Sequence, residues 1–189
     1  MISVVVIAAS AGGLDPLRRI VAALPVPCSA AVFIVVHIGP HRSVLPSLLS
    51  SSGQHPATFA HDGAPIEAGH IYVAPPDHHM SLGLDRIRLD QGLKVHHTRP
   101  AADPLFISAA KRLGQRVMGI VLSGGGGDGA AGLRAVAEHG GTALVQDPQE
   151  AVAPSMPRAA MMADYPDARL PIEATAQRMG AFCSCSTAA

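Results

Sequence analysis

VVVIAASAGG, residues 4–13, runs from a strand into a sharp turn. Its first part is β-branched or small and apolar with no polar alternation, the pattern of a strand buried on both faces. Ser10 and the pair Gly12 and Gly13 interrupt it, and helical spacing begins at Leu14. A strand buried on both faces needs helices above and below it, so this opening predicts an α/β layer architecture with a mainly parallel sheet. Ser10 then has three readings: a helix cap, part of a phosphate cradle, or a nucleophile. The hydrolase elbow G-x-S-x-G resembles AASAG with Ala8 in place of the first glycine, whereas the phosphate-loop ending GK[ST] is absent.

The same alternation continues along the chain. Strands are expected at 3–8, 31–36, 57–60, 117–122 and 142–146, and helices at about 14–23, 44–51, 104–113, 130–139, 156–163 and 172–182. Between Gly69 and Thr98 the segments HIYVAP, HHMSLGL and RIRLDQG read as short strands or hairpins, an extension of the sheet rather than another βαβ unit. The expected fold is a doubly wound, mainly parallel sheet of about seven strands with a β-hairpin extension and helices on both faces. No repeat or linker divides residues 1–189, so one domain is expected.

Composition narrows the function. Fourteen basic side chains balance fourteen acidic ones, which removes the electrostatic argument for a nucleic-acid binder or a peripheral membrane protein. No apolar stretch approaches the roughly 18 residues of a membrane span, so no membrane insertion is expected. Cys28, Cys183 and Cys185 form no disulfide framework and fit a reducing, cytoplasmic compartment. The CSC pair reads as a frayed tail in preference to a soft-metal site.

In open α/β sheets the functional groups gather at the carboxyl ends of strands. Ser10 lies at one such end. His37 follows AVFIVV and precedes IGP at a second, and Asp128 lies within GIVLSGGGGDGAAGL, residues 119–133, at a third. Taken singly, each has a bland reading, as a helix cap or a solvated histidine. Together they supply a nucleophile, a base to take its proton and an acid to orient the base. One rival uses the same loop: Gly124, Gly126 and Gly129 satisfy G-x-G-x-x-G, with Asp147 near the place of a ribose-binding acid. Against it, Asp128 would face the pyrophosphate, and like charges about 4 Å apart repel by roughly 4 kcal/mol at an effective dielectric of 20.

With these residues in place, the chain resembles the chemotaxis protein-glutamate methylesterases. The likeness runs through IAASAGGLDPLRRIVAALP, IVVHIGP, GHIYVAPPDHHM, TRPAADPLF, GIVLSGGGGDGAAGL and VQDPQEAVAPSMPRAA, in the family's order. It implies a Ser10, His37, Asp128 triad and no cofactor or metal. It also implies hydrolysis of glutamate γ-methyl esters on chemoreceptor cytoplasmic regions with release of methanol, and deamidation of receptor glutamines. Met1 falls at the esterase's first strand, so the expectation is a catalytic domain without a receiver, its partners a methylated receptor and a separate receiver or histidine kinase. A non-catalytic receptor-binding module is the other alternative, and three intact triad residues argue against it.

Four positions depart from the family pattern: Ala11 beside the serine, Val36 before the histidine, Thr98 before the Arg-Pro pair, and Gly125 three residues before Asp128. Asp77 and Met80 are expected to shape the cleft, and Arg99 either meets acidic receptor surface or is solvated. Met156 and Pro157 open a helix, where proline is favoured. His37 and His41 are separated by Gly39 and Pro40, which forbid a shared helical turn. The doublets His78, His79 and His96, His97, read as extended strand, point each pair to opposite faces, so no metal site is expected.

Overall fold

The structure, a computed structural model, describes residues 2–37, 39, 43–163 and 166–184. Its strands are β1 (Ser3–Ala9), β2 (Ala30–Val36), β3 (Ala57–Phe59), β4 (Ile71–Val73), β5 (His79–Leu82), β6 (Ile87–Asp90), β7 (Val117–Val121), β8 (Thr142–Gln146) and β9 (Ala168–Leu170). Its helices are α1 (Leu14–Ala22), α2 (Leu45–Ser50), α3 (Ala102–Leu113), α4 (Ala130–Glu138), α5 (Ser155–Met162) and α6 (Ile172–Ser184). Among the described residues, seven strands form one parallel sheet in the order β3-β4-β2-β1-β7-β8-β9, and β5 pairs antiparallel with β6.

The central strand explains the layers. Along β1, Val4, Val6 and Ala8 enter one apolar cluster with Leu105 and Phe106 of α3, Leu133 and Val136 of α4, and Met156 and Ala160 of α5. Val5, Ile7 and Ala9 enter the other, with Leu17 and Ile20 of α1, Leu49 of α2 and Met179 of α6. Period-2 alternation is thus present in the backbone but invisible in the sequence, because both faces need apolar residues. The chain winds outward from β1 through β2, then crosses back to β7 on the other side of β1. This reversal puts the carboxyl ends of β2, β1 and β7 side by side, where open α/β sheets carry their sites.

Several expectations need correction. The segment at 71–73 is a parallel member of the main sheet between β3 and β2, while 79–90 forms the expected hairpin. Strand β9 has no counterpart in the sequence reading, since a three-residue edge strand with Arg169 at its centre carries little apolar signal. Met80 does not shape a cleft, being fully buried in the core beneath α3. Cys183 is no frayed tail: it is buried in α6, and its carbonyl accepts from the Ser29 amide and hydroxyl. The Cys28 thiol donates to the Ala30 carbonyl at 3.3 Å, and the coupling of the two thiols pushes that of Cys183 up and holds that of Cys28 low. Cys185, His41 and Pro40 lie outside the described residues.

Candidate active site

Ser10 stands just beyond β1, and its half-buried side chain caps nothing. The N-cap of α1 is Gly13, without a side-chain cap bond. The turn is fixed by backbone, with the Ser10 amide donating to the Ser123 carbonyl at 2.9 Å and the Gly13 amide to the Ser10 carbonyl at 2.9 Å. Gly12 has φ +72°, and a Cβ there would fall 2.5 Å from Val152 Cβ. Only glycine makes this turn without strain or collision. The amides of Ala11 and Gly12 donate to no group among the described residues.

His37 is positioned by register. Ala9 of β1 pairs with Val36 of β2, so Ser10 and His37 occupy the next rung, and the His37 amide donates to the Ala9 carbonyl at 3.3 Å. The ring reaches across to Asp128, with Nε2 2.7 Å from Oδ2. Asp128 is 1% exposed, while His37 keeps 12% of its side chain open to solvent. An ionised carboxylate only accepts, so Nε2 carries a proton, and in the neutral imidazole Nδ1 keeps its lone pair. Nδ1 has no hydrogen-bond partner among the described residues. Ser10 Oγ makes no hydrogen bond to the ring, and such nucleophile–base bonds commonly tighten only with substrate.

Asp128 also refutes its bland reading as the cap of α4. That cap is Gly129, and the carboxylate reaches instead to α3, where Oδ2 accepts from the Ala102 amide at 2.6 Å and Oδ1 from the Asp103 amide at 3.1 Å. Burial alone would push this carboxyl up. The His37 hydrogen bond and the two amides outweigh burial and hold it below the ordinary carboxylate range.

The favour is returned. Asp103 Oδ1 accepts from the Gly129 amide at 3.1 Å and the Gly132 amide at 2.7 Å, and Oδ2 lies 2.9 Å from His96 Nε2. The helix-terminal amides that a pyrophosphate would require at the 124–129 loop are therefore occupied, which counts against the dinucleotide reading. One oxygen or nitrogen from each of His96, Asp103 and Asp128 lies within 4.8 Å of the others, a spacing a cation could use. Each carboxylate is already committed to a histidine and two amides.

A cleft of about 270 Å³ opens beside His37, lined by Asp77, Lys94, His97, Thr98 and Arg99. Thr98, a departure from the family pattern, thus borders the site. Arg99 lines this cleft with its side chain 19% exposed and its guanidinium held in place. Its Nε and Nη2 donate to Asp77 Oδ1 at 2.9 and 2.7 Å, and Nη1 donates to the carbonyls of Gln91 and Gly92. That guanidinium holds the Asp77 carboxyl below its usual value. His96 and His97 are not extended: with φ +50° and +62° between paired Val95 and Thr98 they form a two-residue turn, which sends His96 toward Asp103.

Glycine spacing yields one sharp expectation. A Cβ on Gly124 would lie 2.8 Å from Ser10 Cβ and 2.1 Å from Met156 Sδ, whereas one on Gly125 would meet nothing within 4 Å. The methionine tail can move, but the Ser10 Cβ is fixed by its turn. Gly124→Ala is expected to crowd Ser10, lowering turnover at that serine about tenfold or more and stability by roughly 1–3 kcal/mol. Gly125→Ala is expected to change neither, and turnover with urea midpoints for both variants checks the contrast.

Residues 5–179 match the family model described as CheB methylesterase. This chain belongs to the CheB methylesterase family. It is 40% identical over 178 residues to protein-glutamate methylesterase/protein-glutamine glutaminase 2 of Caulobacter vibrioides, covering 91% of this chain and 51% of that protein. It is 36% identical over 174 residues to the enzyme of the same name, without the number, from Pyrococcus horikoshii, covering 89% and 47%. The chain thus spans about half the length of these curated relatives. A putative protein-glutamate methylesterase/protein-glutamine glutaminase of Leptospira interrogans serovar copenhageni is 34% identical, with 92% of this chain and 91% of that protein covered. The crystal structure of the Thermotoga maritima CheB methylesterase catalytic domain superposes with a TM-score of 0.91 at 29% identity, covering 96% of this chain and 98% of that one. The methylesterase fold expected from sequence is therefore present. No helix among the described residues is long and apolar enough to cross a membrane.

Sequence reasoning missed Asp103 and His96. Asp103 was hidden as an ordinary first-turn acid of α3, and His96 as half of a doublet. The signal available was an acid at the N-terminus of one helix and another before the next, the composition of a reciprocal cap.

Proposed function

We propose that this methylesterase-family chain hydrolyses glutamate γ-methyl esters on the cytoplasmic regions of chemoreceptors, with Ser10 as nucleophile, His37 as general base and Asp128 as its orienting acid. The observation that carries the assignment is the 2.7 Å bond from His37 Nε2 to buried Asp128, on the rung next to Ser10. Ser10 Oγ attacks the ester carbonyl as His37 Nδ1 takes its proton. The imidazolium is stabilised by Asp128 and returns the proton to the departing methoxide, which leaves as methanol. Water, activated by the same nitrogen, then cleaves the acyl-enzyme to free glutamate. The unengaged Ala11 and Gly12 amides are the candidate oxyanion donors.

The same acyl transfer with ammonia as leaving group deamidates glutamine, the second activity in the relatives' names. A cytoplasmic location follows from such a substrate, and control by a separate receiver or histidine kinase fits this reading. The test is methanol release from methylated receptor fragments, with ammonia release from the glutamine forms run beside it. Methanol from the wild-type chain supports the reading. Its absence, where an authentic methylesterase works on the same fragments, overturns it.

A further inference from the structure

The reciprocal caps place two buried carboxylates together, an arrangement that simple burial disfavours. Asp103 is 5% exposed and Asp128 1%. Each is held by two amides at the N-terminus of the other's neighbouring helix and by one histidine: His37 for Asp128, His96 for Asp103. Each helix end thus offers its positive pole to the acid that the other supplies. Neither acid can move without shifting the other, because the amide of Asp103 is itself a ligand of Asp128 and the Gly129 amide, next to Asp128, is a ligand of Asp103.

We propose that Asp103, backed by His96, is a positioning residue for the His37–Asp128 couple: it clamps the loop that carries Asp128 and adds a second negative charge behind the base. The proposal rests on the triad assignment above. His96 suits its place, since its side chain is 45% exposed at the rim and its left-handed backbone is one that histidine and asparagine tolerate better than most residues. The charged and titratable groups around the couple are Asp103 at the start of α3, His96 behind it, buried His79, whose Nδ1 accepts from the Ala101 amide, and Asp77, Lys94, His97 and Arg99 along the cleft. Of these, Asp103 is the buried charge nearest the couple that makes no contact with His37.

Asp103→Asn keeps an oxygen to accept from Gly129 and Gly132 and removes the charge. Its expected effect is a fall in kcat of about tenfold or more with KM within about twofold. A lost negative charge also makes the imidazolium form of His37 harder to reach, so the acid limb of the pH–rate profile moves to lower pH. An NMR titration of the His37 ring, assigned with a His37→Gln control, moves in the same direction and needs no turnover. Should the wild type release no methanol, the triad reading fails while the titration still decides the coupling. An unmoved titration and acid limb in folded Asp103→Asn overturn the proposal. His96→Asn serves if Asp103→Asn does not fold: kcat falls about threefold or more at unchanged KM, and an unchanged kcat overturns it. Combining both substitutions should lower kcat no further than the worse single one, and additive losses would show that the two do not act as a unit.

Discussion

Replacing Ser10 with alanine is expected to lower methyl-ester turnover by about 10⁶-fold, the scale of loss seen when a triad serine is removed. The expectation is sharp because so little else changes. Ser10 Oγ makes no hydrogen bond among the described residues, the turn is held by backbone bonds of Ser10 and Gly13, and alanine adds no atom. Stability should therefore stay within about 0.5 kcal/mol of wild type, as for other substitutions away from packed or bonded features. Receptor-fragment binding should also survive, because the cleft beside His37 is lined by Asp77, Lys94, His97, Thr98 and Arg99 and not by Ser10. Methanol release, a urea midpoint and fragment binding, measured on one preparation, separate an enzyme from a binding module. An alanine variant that releases methanol at the wild-type rate removes Ser10 from the mechanism.

How far the sequence could be read follows from where its signals lie. Strand β1, its turn and its neighbours were legible because burial on both faces leaves an uninterrupted apolar run, and because Gly12 and Gly13 permit a turn that other residues resist. Ser10, His37 and Asp128 were legible as residues at three strand ends. That those ends adjoin depends on the β3-β4-β2-β1-β7-β8-β9 order, which pairing and not local spelling decides. The 69–98 region was harder, since three- and four-residue strands carry too few side chains for periodicity to separate a sheet member from a hairpin. His96 eluded the reading because both histidines of its turn have positive φ, which reverses the directions an extended doublet would take. Cys183 eluded it because small residues around it resembled a tail, although α6 buries that face against the sheet.

The charge on Asp128 has consequences for both rate and stability, and Asp128→Asn exposes them together. The carboxylate accepts a hydrogen bond from His37 Nε2, which leaves Nδ1 for the proposed role of base. An asparagine amide group facing Nε2 donates instead. The ring must then carry its proton on Nδ1, the wrong tautomer for taking one from Ser10. The expected loss is about 10⁴-fold in kcat, as when an orienting acid is neutralised elsewhere. With that NH2 in the place of Oδ2, the Ala102 amide loses its acceptor while the remaining oxygen still accepts from Asp103, at a cost of roughly 1–3 kcal/mol for a buried donor. The pH dependence follows from the sign of the carboxyl's displacement. Its folded value lies below the unfolded one, so the folded protein holds this proton less tightly than the unfolded chain. The stabilisation is complete above the ordinary aspartate value of about 4 and fades as pH falls through the lower folded value. Urea midpoints followed from pH 7 to pH 2 should therefore show wild type ahead of Asp128→Asn at neutral pH, with the gap narrowing below about pH 4. A gap that stays constant to pH 2 would mean that the ionised form of Asp128 gives the fold nothing, and that the acid serves only the tautomer of His37.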